Sequence, residues 1–132
     1  GNNSEVEGTL EEIMEKVYSD TGIEFPETQI TTINAENAEY FLGTSDIEYV
    51  DAIGSEPLMS SIAHSIVLLR AKDEADIENI KSTIKSKVDG RKWICVGVED
   101  DQIITDNIGN LIILIMDEES ETIQKSFLEL AK

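Results

Sequence analysis

A single histidine, a single cysteine and a set of acidic clusters are the side chains of this sequence that could do chemistry. His64 lies among Ser60, Ser61 and Ser65, the hydroxyls that a nucleophilic hydrolase would activate. A strand here puts His64 on one face with Ile62, Ile66 and Leu68, and no Gly-x-Ser-x-Gly elbow occurs. The pattern favours a strand-end or core-edge histidine, and no catalytic residue is assigned.

Cys95 stands in phase with Trp93 and Gly97, and Arg91 and Lys92 are the cationic neighbours a reactive thiolate needs. A short strand in an apolar sheet is nevertheless the usual place of an inert buried thiol. One cysteine excludes an intrachain disulfide.

The acid clusters are Asp73-Glu74-Asp76, Glu99-Asp100-Asp101 and Asp117-Glu118-Glu119-Glu121. None has the spacing of a helical calcium loop. The first and third sit where helix starts favour anions, and only the Glu99–Asp101 turn has no such explanation. One Cys and one His do not suit zinc, and no phosphate-cradling glycine loop is present. Neither a metal nor a cofactor is expected.

The elements that must position these groups follow from periodicity and turn residues. Thr9 and Glu12 form a capping box ahead of a stripe at Leu10, Ile13, Met14, Val17 and Tyr18, a helix ending near Thr21-Gly22. Residues 23–33 read as a connector, and Asn34 starts a short helix through Leu42 that Gly43 ends. Ile47 to Ile53 reads as a strand, broken by Gly54-Ser55-Glu56-Pro57, and Ile62 to Ala71 as a strand apolar on both faces. Asp73 caps a helix with the stripe Ile77, Ile80, Ile84 and Val88, carrying Lys81, Lys85 and Lys87 late. Trp93–Val98, Gln102–Thr105 and Leu111–Met116 read as three further strands, and a last helix runs from about Glu118 to Ala131. The expectation is one α+β domain over residues 9–132, a mostly antiparallel sheet of about five strands with helices packed on it.

The loop Gly54–Ser61 places Leu58 and Met59 where polar residues are usual. Exposed, the pair would be a binding tip; folded over the sheet end it would be core, which is the preferred reading.

The chain has 132 residues, 40% of them hydrophobic, enough for one core. Lys+Arg 10 against Asp+Glu 28 gives a net charge of -18, which argues against nucleic acid and anionic lipid and favours solubility and cationic partners. The longest apolar run, Leu111 to Met116, is too short to cross a membrane. Residues 1–8 are polar and read as loose, with a processed start.

Ser55-Glu56-Pro57-Leu58-Met59-Ser60-Ser61, then Ser65 to Asp73, Asp89-Gly90-Arg91-Lys92-Trp93-Ile94-Cys95-Val96 and Ile112 to Met116 form an ordered series. The series resembles the bacterial family catalogued as domain of unknown function 4358. That family consists of small exported lipoproteins of Gram-positive gut anaerobes, anchored through a lipidated N-terminal Cys. The resemblance implies an extracytoplasmic, membrane-anchored parent protein with residues 1–8 as a flexible N-terminal tether, and brings no activity, ligand or site residue.

The leading expectation is therefore a non-catalytic domain binding a protein, peptide or envelope ligand through Leu58, Met59, Arg91, Lys92 and Trp93. The alternatives are a hydrolase using His64 with a nearby serine or acid, and an acidic cation-responsive or purely structural domain.

Overall fold

The computed structural model describes residues 6–131. Thr9 opens helix α1 (Leu10–Ser19) with the expected capping box: its hydroxyl accepts the Glu12 N–H, and the Glu12 carboxylate accepts the Thr9 N–H. Helix α2 (Ala38–Leu42) ends at Gly43, whose φ of 81° is the left-handed cap. Helix α3 (Ile77–Lys87) is capped by Asp76, which accepts the Asn79 N–H; Asp73, the expected cap, lies before the helix. Helix α4 (Ser120–Glu129) closes the chain.

The strands are β1 (Thr28–Thr32), β2 (Asp51–Pro57), β3 (Ser65–Arg70), β4 (Ile103–Ile108) and β5 (Leu111–Met116). They form one antiparallel sheet in the order β1-β2-β3-β5-β4. The molecule is thus a single α+β domain, five antiparallel strands with four helices packed on them.

Two elements are of another type than the sequence leads one to expect, and a third has other bounds. Thr28–Thr32, read as connector, is the edge strand β1; its Thr and Ile side chains suit a pleated, half-exposed surface. Trp93–Val98, read as a strand, is an irregular loop because the Val98 N–H bonds the Gly90 carbonyl at 2.8 Å and closes the segment on itself. Strand β2 also begins at Asp51 rather than Ile47, and Gly54 to Pro57 continue it instead of breaking it. Gly54 is required there: a Cβ would lie 2.5 Å from Cε1 of the Phe41 ring that covers it.

The helices cover both faces of the sheet. Val67, Leu69, Ile112 and Leu114 pack with Phe41, Leu42, Ile84 and Trp93. Ile66, Leu68, Ile113 and Ile115 pack with the α1 stripe and with Ile123 and Phe127 of α4. Two buried faces explain why β3 and β5 are apolar at successive positions. Each such side chain contributes roughly 1.5–3 kcal/mol on full burial.

The two sheet edges differ. The Lys85 ammonium of α3 donates to the Asp100 and Ile103 carbonyls, and Lys81 donates to Asn107 Oδ1 at 2.7 Å, fastening α3 along β4. Of the expected tether, residues 1–5 lie outside the described residues. Val6 and Gly8 are held, their carbonyls accepting from Arg70 Nη2 at 3.2 and 2.7 Å.

Candidate functional site

His64 directly precedes β3 and is 1% exposed. Its Nδ1 lies 2.7 Å from Asp117 Oδ1, just beyond β5, and its Nε2 lies 2.7 Å from the Tyr18 hydroxyl of α1. A carboxylate only accepts, so Nδ1 carries a proton and donates to Asp117. In the neutral ring Nε2 then accepts from Tyr18, whose oxygen in turn accepts from Ser55 Oγ at 2.7 Å. Asp117 is held in turn, its Oδ2 accepting the Glu119 N–H at 2.7 Å. Burial pushes the Tyr18 phenol up to about 12, against hydrogen bonds with Ser55 and Thr28 that pull it down.

An acid-oriented histidine facing a hydroxyl has the connectivity of a nucleophilic triad. Here, however, the hydroxyl is a phenol that keeps its proton, and Phe25 packs on both rings, at 5.0 Å from Tyr18 and 5.2 Å from His64. Of the serines near His64 in sequence, Ser60 and Ser61 are exposed and Ser65 Oγ is buried without a hydrogen-bond partner. The arrangement fixes the Tyr18 ring at the base of a groove. Tyr18 was legible only as the last member of a buried stripe; a phenol in such a stripe needs a polar partner, and that was the available signal.

The expected binding residues divide. Leu58 is 53% exposed and Met59 64%, so the preferred core reading of this pair is corrected: β2 continues through Pro57 and carries them past the sheet end. Arg91 is also exposed. Trp93 is buried over the α2/α3 face of the core, and Lys92 points inward to Glu56 at 2.6 Å, its ammonium 4.2 Å from the Tyr40 ring centre. Ile94 joins the exposed group, its N–H bonding the Ser60 carbonyl at 3.0 Å. Cys95, expected buried, is exposed with φ 60°, because its segment is a loop and not a strand.

Strand β1 is bordered by two grooves, one on each face of the sheet. On the α1 face a groove of about 650 Å³ has Met14, Ile23, Phe25 and Ile30 as apolar lining, Tyr18 and Ser55 as polar lining, and Glu11, Glu12 and Glu15 along α1. On the α2 face a smaller one, about 290 Å³, is lined by Gln29, Thr31, Tyr40, Leu58, Lys92 and Trp93 among others. Between them runs the free edge of β1. Leu58 N–H bonds the Glu27 carbonyl and Ile33 N–H bonds the Ala52 carbonyl, which sets the alternation of the β1–β2 ladder. Gln29 and Thr31 therefore turn their backbone groups to β2, while Thr28, Ile30 and Thr32 turn theirs outward. Asn37 Nδ2 occupies the Thr32 carbonyl at 3.0 Å, and among the described residues nothing bonds the outward backbone groups of Thr28 and Ile30.

Among the described residues no group of three or more His, Cys, Asp or Glu side chains could hold a metal ion, and no helix is long and apolar enough to cross a membrane. No protein-family model, curated protein or solved structure matches the chain.

Proposed function

We propose that this chain is a non-catalytic, extracytoplasmic binding domain of a lipid-anchored parent protein, and that it captures an extended protein or peptide segment as a sixth strand on β1. The observation that carries the reading is the outward-facing N–H and C=O of Thr28 and Ile30 on an uncharged edge. Charged residues make up 29% of the chain, yet Thr28 to Ala35 contains none. Sheet edges are ordinarily blunted by charge, proline, bulges or cover. The β4 edge has its lysines from α3, whereas β1 carries no charged residue between Glu27 and Glu36. Main-chain bonds to such an edge supply affinity, and pockets on alternate faces supply selectivity. The extracytoplasmic placement rests on the resemblance carried by Ser55 to Met116.

Amide exchange by NMR tests the reading, with capped hexapeptides of alternating valine and a polar residue as probes. Binding is expected to slow exchange at Thr28 and Ile30. Ile30→Pro removes one outward donor without touching the β2 ladder and should abolish capture. Unchanged exchange at both amides with every peptide would remove the proposal.

A hydrolase centred on His64 is the second reading, favoured by the Asp117–His64 bond. Turnover of chromogenic esters that disappears in His64→Gln would support it. Absence of turnover in the natural chain would dispose of it.

A further inference from the structure

We infer that the segment captured by β1 carries lysine or arginine at the two positions level with Thr28 and Ile30, and a small or apolar residue between them. This rests on the strand-addition reading above and adds the chemistry of the ligand.

Residues level with one another on neighbouring strands put their side chains on the same face of the sheet. Thr28 and Ile30 line the groove on the α1 face. The residues of an added strand level with them are two apart and reach over that same groove. Ile30 is 46% exposed and Ile23 and Phe25 are half-buried, so these side chains offer an uncovered apolar surface to a long aliphatic stem. At the end of such a stem stand the carboxylates of α1. Glu12 is engaged by the Thr9 N–H, while Glu11 and Glu15 are exposed, and no Lys or Arg lines the groove. A side chain that lays methylenes on an apolar floor and presents a cation at the rim matches this pattern.

The opposite face makes no such demand. There Gln29 and Thr31 look onto a groove whose carboxylate, Glu56, already has the Lys92 ammonium at 2.6 Å and the Tyr40 hydroxyl at 2.7 Å. A cation placed on that side would meet Lys92. The two faces of β1 thus ask for different residues, and alternation along one strand supplies both. A second copy of this chain is a poor occupant, since its own β1 carries no cation and each copy has a net charge of -18.

The test uses two capped peptides of identical composition and charge, Thr-Lys-Val-Lys-Val-Thr and Thr-Lys-Lys-Val-Val-Thr. Only the first can place both lysines on one face of an added strand. It should bind about fivefold more tightly, the size expected of two partly exposed ion pairs. That advantage should vanish in the Glu11→Gln/Glu15→Gln variant, whose melting temperature stays near that of the parent. Equal affinity of the two peptides, or an advantage that survives the double variant, would overturn the inference while slowed exchange at Thr28 and Ile30 still upheld strand addition. No slowing of exchange with either peptide would overturn both. Protection of the same two amides by concentration-dependent dimerisation, without peptide, would assign the edge to a second copy and also overturn it.

Discussion

The Lys92 ammonium and the Glu56 carboxylate stand 2.6 Å apart with side chains only 6% and 13% exposed, beside the rings of Tyr40, Phe41 and Trp93. Burial lowers the Lys92 pKa, and the neighbouring Glu56 carboxylate raises it again. The pair ties the loop after α3 to β2. Removing one member leaves the other desolvated and uncompensated, so Lys92→Met should cost about 3–5 kcal/mol. Lys92→Met combined with Glu56→Gln should cost clearly less than the sum of the single changes. Urea denaturation of the four proteins measures the coupling, and strict additivity would mean that the two charges do not act as a pair.

Tyr18→Phe deletes the hydroxyl that lies between Ser55 and His64, both essentially inaccessible to water. Two buried polar atoms lose a partner, and the expected loss is about 1–3 kcal/mol. Denaturant midpoints check it. A change within about 0.5 kcal/mol, the range of an ordinary surface substitution, would show that neither atom depends on Tyr18.

Alkaline titration offers a prediction with a definite sign. The Tyr18 phenol is raised from 10.0 to about 12 by burial, and burial together with the Glu56 carboxylate also raises Tyr40. Below pH 10 folded and unfolded phenols are alike protonated, and their contribution is fully present. Between pH 10 and about 12 the unfolded chain gives up protons that the folded chain keeps, so stability falls. Lys92, shifted downward, works in the other sense: stability is recovered as pH rises towards its ordinary 10.5. Denaturation midpoints against pH, together with tyrosinate absorbance, follow this. A decline of the same size in Tyr18→Phe would contradict the assignment.

Gly43 has φ 81°, and a Cβ there would lie 2.3 Å from the Lys87 carbonyl carbon at the end of α3. Gly22 has φ 73° and nothing within 4 Å. Gly43→Ala should therefore cost about 2 kcal/mol or more, conformational strain plus a backbone clash. Gly22→Ala should cost about 1 kcal/mol, strain alone. Thermal unfolding of both variants separates the two contributions; equal costs would mean that α2 and α3 give way without penalty.

The parts of the fold written in local signals were readable in the sequence. Thr9 and Glu12 make reciprocal bonds within one turn, so the start of α1 needs no tertiary information. Leu111 to Met116 is apolar at every position and has only one place to go. Strand β1 is different: five residues at a half-exposed edge leave no alternation to detect, and its pairing with β2 is set by residues more than twenty positions away. Trp93, Ile94 and Val96 have strand-forming side chains, yet the bond from Val98 back to Gly90 decides their conformation. The site divided in the same way. His64 was identifiable as an unusual residue, while Tyr18 and Asp117 reached it only through the packing of α1 and the antiparallel return of β5. The grooves beside β1 were hidden because β1 itself was.

Strands β3 and β5 are almost uniformly apolar, so sliding one past the other by a residue would still put hydrocarbon on both faces. Hydrophobicity alone does not choose their alignment. Ser65 pairs with Met116, which makes His64 and Asp117 the next residues level with each other. Their 2.7 Å bond can form in that alignment only, and any shift would leave an imidazole and a carboxylate unpaired at the margin of the core. The sequence's single histidine therefore selects one pairing of the two central strands from neighbours that their apolar side chains would accept just as readily.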